Sequence, residues 1–242
     1  MVGRLTQQMV KVIQADTTSL RGVRNVIDGE AELLTGFEFN INGKLGTSLF
    51  APYTGAIDRT SGNITVDMSP FVPQKMIAAP SGTTHYKIIS AGAEIDFEAE
   101  TFVEAHIETA ILPWDHVETV ALNQLNSVTP NSTKPLFLAL GVEYYQEVNG
   151  QMYPLNNGAY NPLALVKVDG QGCFGVINFI SNENSFPNFS QTAFPTKSPL
   201  YSLINSFNVF PIKGPLDVFG FITFYIGNLP RFANVLGIES FI

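Results

Sequence analysis

The sequence predicts a mainly β protein. The expected fold is an antiparallel β-sandwich of immunoglobulin or fibronectin type, preceded by one or two short α-helices and followed by a poorly defined C-terminal tail. Three observations predict it. Short apolar or alternating segments recur at roughly 8–12-residue spacing between Gly, Pro and Asn turns, the pattern of an all-β sandwich. No helix of crossover length separates them, which argues against a parallel α/β sheet. The stretch PLFLALGVEYYQEVNGQMYPLNNGAYNPLALVKV, residues 135–168, reads as a β-hairpin followed by one more strand. The implied organisation is a helical segment over 1–35, a β-sandwich over 36–169, and an apolar tail over 170–242.

In the first segment, Leu5, Met9, Val12 and Ile13 fall at i, i+4, i+7 and i+8, so Arg4 to Ala15 reads as a helix with one apolar stripe. A second short helix is expected from Leu20 to about Leu34, weakened by Gly22 and Gly29. From Gly36 the period becomes two. Phe37, Phe39 and Ile41 alternate with Glu38 and Asn40, predicting a strand with one buried face. Asn42-Gly43 is a turn, and Pro52 breaks Ser48 to Tyr53. Ala56-Ile57 and Ile64 to Met68 flank Asp58-Arg59-Thr60-Ser61-Gly62, a hairpin loop in which Gly62 supplies positive φ. Pro70, Pro73 and Pro80 exclude a central strand between them. Thr84 to Ile89 and Ala93 to Ala99 read as a strand pair around Ala91-Gly92. Phe102 to Leu112 and Glu118 to Leu125 follow, then a polar loop over Asn126 to Lys134.

In the organising hairpin, Leu136 to Val142 is apolar on both faces, as suits a strand between two layers. Asn149-Gly150 tolerates the positive φ that a two-residue type I′ turn requires. That register sets Val148 opposite Gln151, Gln146 opposite Tyr153 and Tyr144 opposite Leu155. Pro154 cannot donate to a ladder, so the return strand is an edge there. Asn156-Asn157-Gly158 turns the chain into a last strand, Leu163 to Val168.

Composition narrows the function. The 242 residues are 45% hydrophobic and 14% charged, with a net charge of −8. No basic patch offers itself to phosphates, so a nucleic-acid partner is not expected. Cys173, the one cysteine, makes neither an intrachain disulfide nor a cysteine metal cage. The opening MVGRLTQQMVKV shows no apolar signal core, which makes the cytoplasm the default location. The longest apolar run, Val218 to Gly227, is far short of the ~18 residues of a membrane span. The tail after Gly170 holds 12 of the 19 phenylalanines and shows no sustained period of 2 or 3.6.

Chemistry-bearing patterns are sparse. Glu94, Asp96, Glu98 and Glu100 alternate, which on one strand would put four carboxylates on one face. Successive same-face residues would stand roughly 6.5–7 Å apart, too far for neighbours to share one Ca²⁺ unaided. A solvated, edge-protecting face is the expected role. His85, His106 and His116 are the only histidines, and no HExxH spacing occurs. Asp115-His116 beside Trp114 has the composition of an acid/base pair, but no G-x-S-x-G supplies a nucleophile. Neither G-x-G-x-x-G nor a P-loop is present. No cofactor and no metal is expected. The residues best suited to a binding surface are Trp114, Tyr144, Tyr145 and Tyr153, with sheet packing the simpler role for the tyrosines.

The motifs RLTQQMVKVIQAD, RNVIDGEAELLTGFEFNINGKLGT, FVPQKMIAAPSGTTHYKIISAGAEIDFE and the 135–168 stretch occur together between Arg4 and Val168. In this the chain resembles a family of uncharacterised proteins from Bacteroidetes-type bacteria. The resemblance implies that Met1 is internal to a longer parent carrying a basic, aromatic N-terminal segment. It also implies that the family region ends near Val168 and the tail is an addition. It brings no functional residues. The expected function is a non-enzymatic structural or interaction module, with a protein partner or self-association. The alternative is a carbohydrate- or ligand-binding sandwich using Trp114 and the tyrosines, with Ca²⁺ as a candidate ion. A hydrolase is the weakest reading.

Overall fold

The computed structural model describes residues 1–22, 24–26 and 30–170, and the tail beyond Gly170 lies outside them. Within these residues the protein is mainly β, built of antiparallel strands with few helical turns.

Helix α1, Val2–Ala15, carries the expected stripe. Leu5 and Val12 are buried, and Met9 and Ile13 pack beside them. Arg4, off the stripe, donates to the carbonyls of Glu38 and Phe39 at 2.6 and 2.7 Å and lies over the Phe37 ring. The helix stops at Asp16, whose Oδ1 accepts from the backbone N–H groups of Thr18 and Ser19 and from the Thr18 hydroxyl. Its Oδ2 accepts from Asn25 N–H. Burial would raise this carboxyl, but the hydrogen bonds from Ser19 and Thr18 outweigh it and hold it well below the usual carboxylate range.

The helix expected over Leu20 to Leu34 is not formed in its described part. Gly22 has φ +101°, and only a single 3₁₀ turn, Ala31–Leu34, is helical. Asp16 holds the chain in turns that compete with helix formation. Val23 and residues 27–29 of that segment lie outside the described residues.

The expected strand at 37–41 is also corrected. Phe37 and Phe39 are buried, but Glu38 makes only an isolated bridge to Ala164, and Ile41 is 68% exposed. Asn40 ends the alternation. Its Nδ2 donates to the carbonyls of Ala159 and Asn161, and its Oδ1 accepts from Asn42 N–H. A helical turn α2, Leu45–Ser48, follows.

Strands β1 (Tyr53–Asp58) and β2 (Asn63–Met68) form the expected hairpin, with Gly62 at φ +73°. The proline-rich segment holds a second helical turn, α3, Pro73–Met76. Strand β3 then runs unbroken from His85 to Asp96, so the pair expected around Ala91-Gly92 is one strand. Gly92 sits there for close approach. A Cβ would meet the Asn126 Cβ and Ile64 Cδ1 at 3.0 Å. Glu98 and Glu100 therefore leave the ladder. Asp96 caps a turn by accepting from the N–H groups of Glu98 and Ala99, Glu100 has φ 56°, and the four carboxylates share no strand face.

Strand β4 is Thr101–Glu108, β5 is Leu112–Pro113, and β6 is Leu122–Ser127, which takes two residues from the expected polar loop. The long strand β7, Leu136–Val148, turns through Asn149 (φ 52°) and Gly150 (φ 77°) into β8, Gln151–Pro154. Val148 faces Gln151 and Gln146 faces Tyr153, as the turn predicts. Leu155 belongs to a 3₁₀ turn rather than the ladder. Asn156, Asn157 and Gly158 all have positive φ and lead to β9, Leu163–Asp169.

Two antiparallel sheets result. One has the order β1-β2-β6; the other runs β4-β3-β7, with β8 and β9 both along the far side of β7 and β5 beside β3. Through β3, β9 and the first half of β7 the larger sheet is buried on both faces. Leu136, Leu138, Leu140, Val142 and Tyr144 face the smaller sheet with Ile64, Val66 and Met68. Phe137 and Ala139 face α1 and the 31–39 segment with Ile89, Ala91 and Leu165. Burial on both faces explains why Leu136 to Val142 is continuously apolar. Each fully buried large side chain there contributes roughly 1.5–3 kcal/mol.

Candidate functional site: the open edge of the larger sheet

Among the described residues strand β4 pairs with β3 alone, in a register that runs from Ile89 opposite Glu108 to Asp96 opposite Thr101. It is the longest strand with a ladder partner on one side only, among the described residues. The other end of the sheet is covered. Along β9, the backbone N–H groups of Gly36 and Phe39 donate to Leu165 and Leu163 carbonyls, and Leu165 N–H donates to Phe37. Strand β8 has only four residues and ends in Pro154. Such short or proline-marked edges resist pairing, and β4 has neither protection.

The backbone polarity of β4 follows from its ladder. Thr109 N–H donates to the Ile88 carbonyl, just past the end of β4. Because backbone groups alternate along a strand, the odd residues of β4 point to β3. The N–H and C=O groups of Phe102, Glu104, His106 and Glu108 point outward. The side chains alternate too. Phe102, Glu104, His106 and Glu108 share the face of Ile89, Ala91 and Ala93, their register partners' face; Val103, Ala105 and Ile107 share the face below β6. Phe102, Val103 and Ile107 are 48, 44 and 38% exposed. Partial burial raises the Glu104 carboxyl, and the neighbouring His106 offsets part of that rise.

Buried amides hold the smaller sheet over this edge. Gln124 Nε2 donates to the Ile88 carbonyl at 3.1 Å and to Ile107 at 3.4 Å, and Asn126 Nδ2 donates to Ser90 Oγ at 2.9 Å. Beside β4 on the opposite face, Lys87 Nζ lies 3.1 Å from Glu108 and over the Tyr145 ring.

The residues singled out from sequence do not converge. Tyr144 is 1% exposed inside the core between the sheets. Its hydroxyl makes no hydrogen bond of ordinary geometry. Burial pushes it up to about 12, only partly offset by Ser48. Trp114 packs against the same core, and its Nε1 donates to the Ile77 carbonyl. Tyr145 lies on the opposite face of β7, with its hydroxyl donating to Glu143 Oε2 at 2.7 Å; burial and that carboxylate raise it. Tyr153 is 54% exposed on β8. Asp115 Oδ1 accepts from Val117 N–H, and His116 is exposed.

No group of three or more His, Cys, Asp or Glu side chains is placed to hold a metal ion among the described residues. No helix among them is long and apolar enough to cross a membrane. No family model, curated protein or solved structure matches the chain. The β4 edge was missed in the sequence, although its alternation, TFVEAHIE, is visible there.

Proposed function

We propose that this protein is a non-enzymatic structural or interaction module, an immunoglobulin- or fibronectin-like sandwich by type, that adds a strand from a protein partner to its β4 edge. The observation that carries this reading is the eight-residue β4 strand, paired on one side and exposing Phe102, Val103 and Ile107. Main-chain hydrogen bonds supply affinity in such strand addition, and alternate side chains supply specificity. The net charge of −8 supports a protein rather than a nucleic-acid partner. The family resemblance, part of the same reading, adds no chemistry to it. A glycan-stacking role has less support, because Tyr144 is buried and Tyr145 and Tyr153 lie on different faces of the β7–β8 hairpin.

Two proline substitutions test whether the edge is free. His106→Pro removes an outward N–H and leaves the β3 ladder intact. Ala105→Pro removes an N–H that the β3 ladder uses, orphaning a carbonyl at about 1–3 kcal/mol. On this reading, at a protein concentration where the wild type is monomeric, His106→Pro unfolds in urea near the wild-type midpoint and Ala105→Pro well below it. Equal, large losses would mean that the outward side of β4 is already paired within the chain, and the reading would fall.

A further inference from the structure

We propose that the partner strand is β4 of a second copy, joined antiparallel about a two-fold axis through Ala105 so that the two larger sheets become one. The inference rests on the edge-pairing reading above and names its occupant.

Strand register selects this pairing. A regular antiparallel ladder requires outward-pointing residues to face outward-pointing residues, so only Phe102, Glu104, His106 and Glu108 can form its hydrogen-bonded pairs. With Ala105 on the axis, Glu104 of each copy faces His106 of the other, and Phe102 faces Glu108. The overlap then takes in the whole span from 102 to 108. Shifting the axis to Glu104 sets that carboxylate against its own copy. Shifting it to His106 sets Glu104 against Glu108 and His106 against itself. Like charges directly opposite destabilise a ladder, so both neighbouring registers are disfavoured and the central one is selected.

The other face agrees with the same axis. Ala105 meets Ala105 at a non-hydrogen-bonded position, where Cα atoms approach to about 4.5 Å and a small side chain fits. Val103 meets Ile107 on either side of it. These exposed apolar residues, at 44 and 38%, form β-branched pairs, which favour strand association. An isologous contact of this kind closes as a dimer and leaves no further β4 edge.

The test is the molar mass of the full chain by light scattering on a sizing column, over a concentration series. The expected wild-type result is a dimer. His106→Glu places two glutamates opposite each other at both symmetry-related positions and yields monomer. The double swap Glu104→His with His106→Glu restores a Glu–His pair at each position and restores the dimer. Urea midpoints of all three proteins confirm that each is folded. A wild-type monomer at every concentration overturns the inference, as does a dimer or larger particle that His106→Glu leaves unchanged. A monomer whose His106→Pro variant keeps the wild-type midpoint removes self-pairing but leaves the edge open to another protein. A monomer with a costly His106→Pro removes both readings.

Discussion

Gly92→Ala is expected to destabilise the protein even though alanine suits a strand better than glycine. Replacing a strand-interior glycine by alanine ordinarily gains about 0.5–1 kcal/mol, by reducing the freedom of the unfolded chain. At Gly92 the new Cβ would lie 3.0 Å from the Asn126 Cβ, 3.0 Å from Ile64 Cδ1 and 3.3 Å from Ile64 Cβ. Carbon pairs are most favourable at about 3.5–4.0 Å, so the two sheets must separate or β6 must shift. Overpacking of this kind costs about 1–3 kcal/mol. Set against the entropic gain, the net loss is about 1 kcal/mol at the middle of the two ranges and about 2.5 kcal/mol at most. For a folded unit of this size a loss of about 1 kcal/mol lowers the melting temperature by roughly 2–4 °C. Gly3→Ala is the control, since nothing lies within 4 Å of its added Cβ in α1. It should stabilise by up to about 1 kcal/mol. Urea denaturation of the full chain followed by far-UV circular dichroism measures both. A stabilising Gly92→Ala would refute the continuous β3 strand packed beneath β6, and with it the placement of the β4 edge.

Three further outcomes follow from the packing and the titrating groups. Leu138→Ala, at a fully buried site between the sheets, should cost about 2–5 kcal/mol, whereas Ile41→Ala, at a 68% exposed site, should stay within about 0.5 kcal/mol of wild type in the same urea assay. Tyr144→Phe removes a buried hydroxyl that lacks an ordinary hydrogen bond, so it should be neutral or stabilising by up to about 1 kcal/mol; a marked loss would reveal a bond the core depends on. Tyr86, Tyr144 and Tyr145 are all raised by burial, Tyr144 to about 12. Their neutral forms therefore contribute stability that is intact below the ordinary phenol value near ~10 and is lost as pH rises through the raised values. An absorbance titration should show a late-ionising group of phenols coincident with alkaline unfolding, and ionisation of every tyrosine together near 10 would contradict their burial.

What could be read from the sequence was what local chemistry determines. The α1 stripe, the Gly62 hairpin and the Asn149-Gly150 register each depend on residues within a few positions of one another, and each is in place. The misread elements were decided at long range. Gly92 resembles a turn residue until Ile64 and Asn126 are brought against it by the second sheet. Ile41 continues an alternation that Asn40 ends by bonding to Ala159 and Asn161. The carboxylate run from Glu94 loses its last two members because Asp96 captures the next turn. The tyrosines stand next to one another along β7, yet strand alternation sends Tyr144 into the core and Tyr145 to the other face. The β4 pattern was equally visible, but a strand becomes an edge through topology. Only the positions of β3, β6 and β9 show that β4 is the longest strand left open among the described residues.

The most direct test of that edge is residue-resolved amide hydrogen exchange on the full chain, measured at several protein concentrations. The account predicts that at low concentration the inward amides of Val103, Ala105 and Ile107 are protected by β3 while those of Glu104 and His106 exchange quickly. As concentration rises, Glu104 and His106 should become protected together, in step with the appearance of dimer. Protection of Glu104 and His106 at the lowest concentration, in a monomer, would mean that the edge is already filled by the chain itself and would contradict the account.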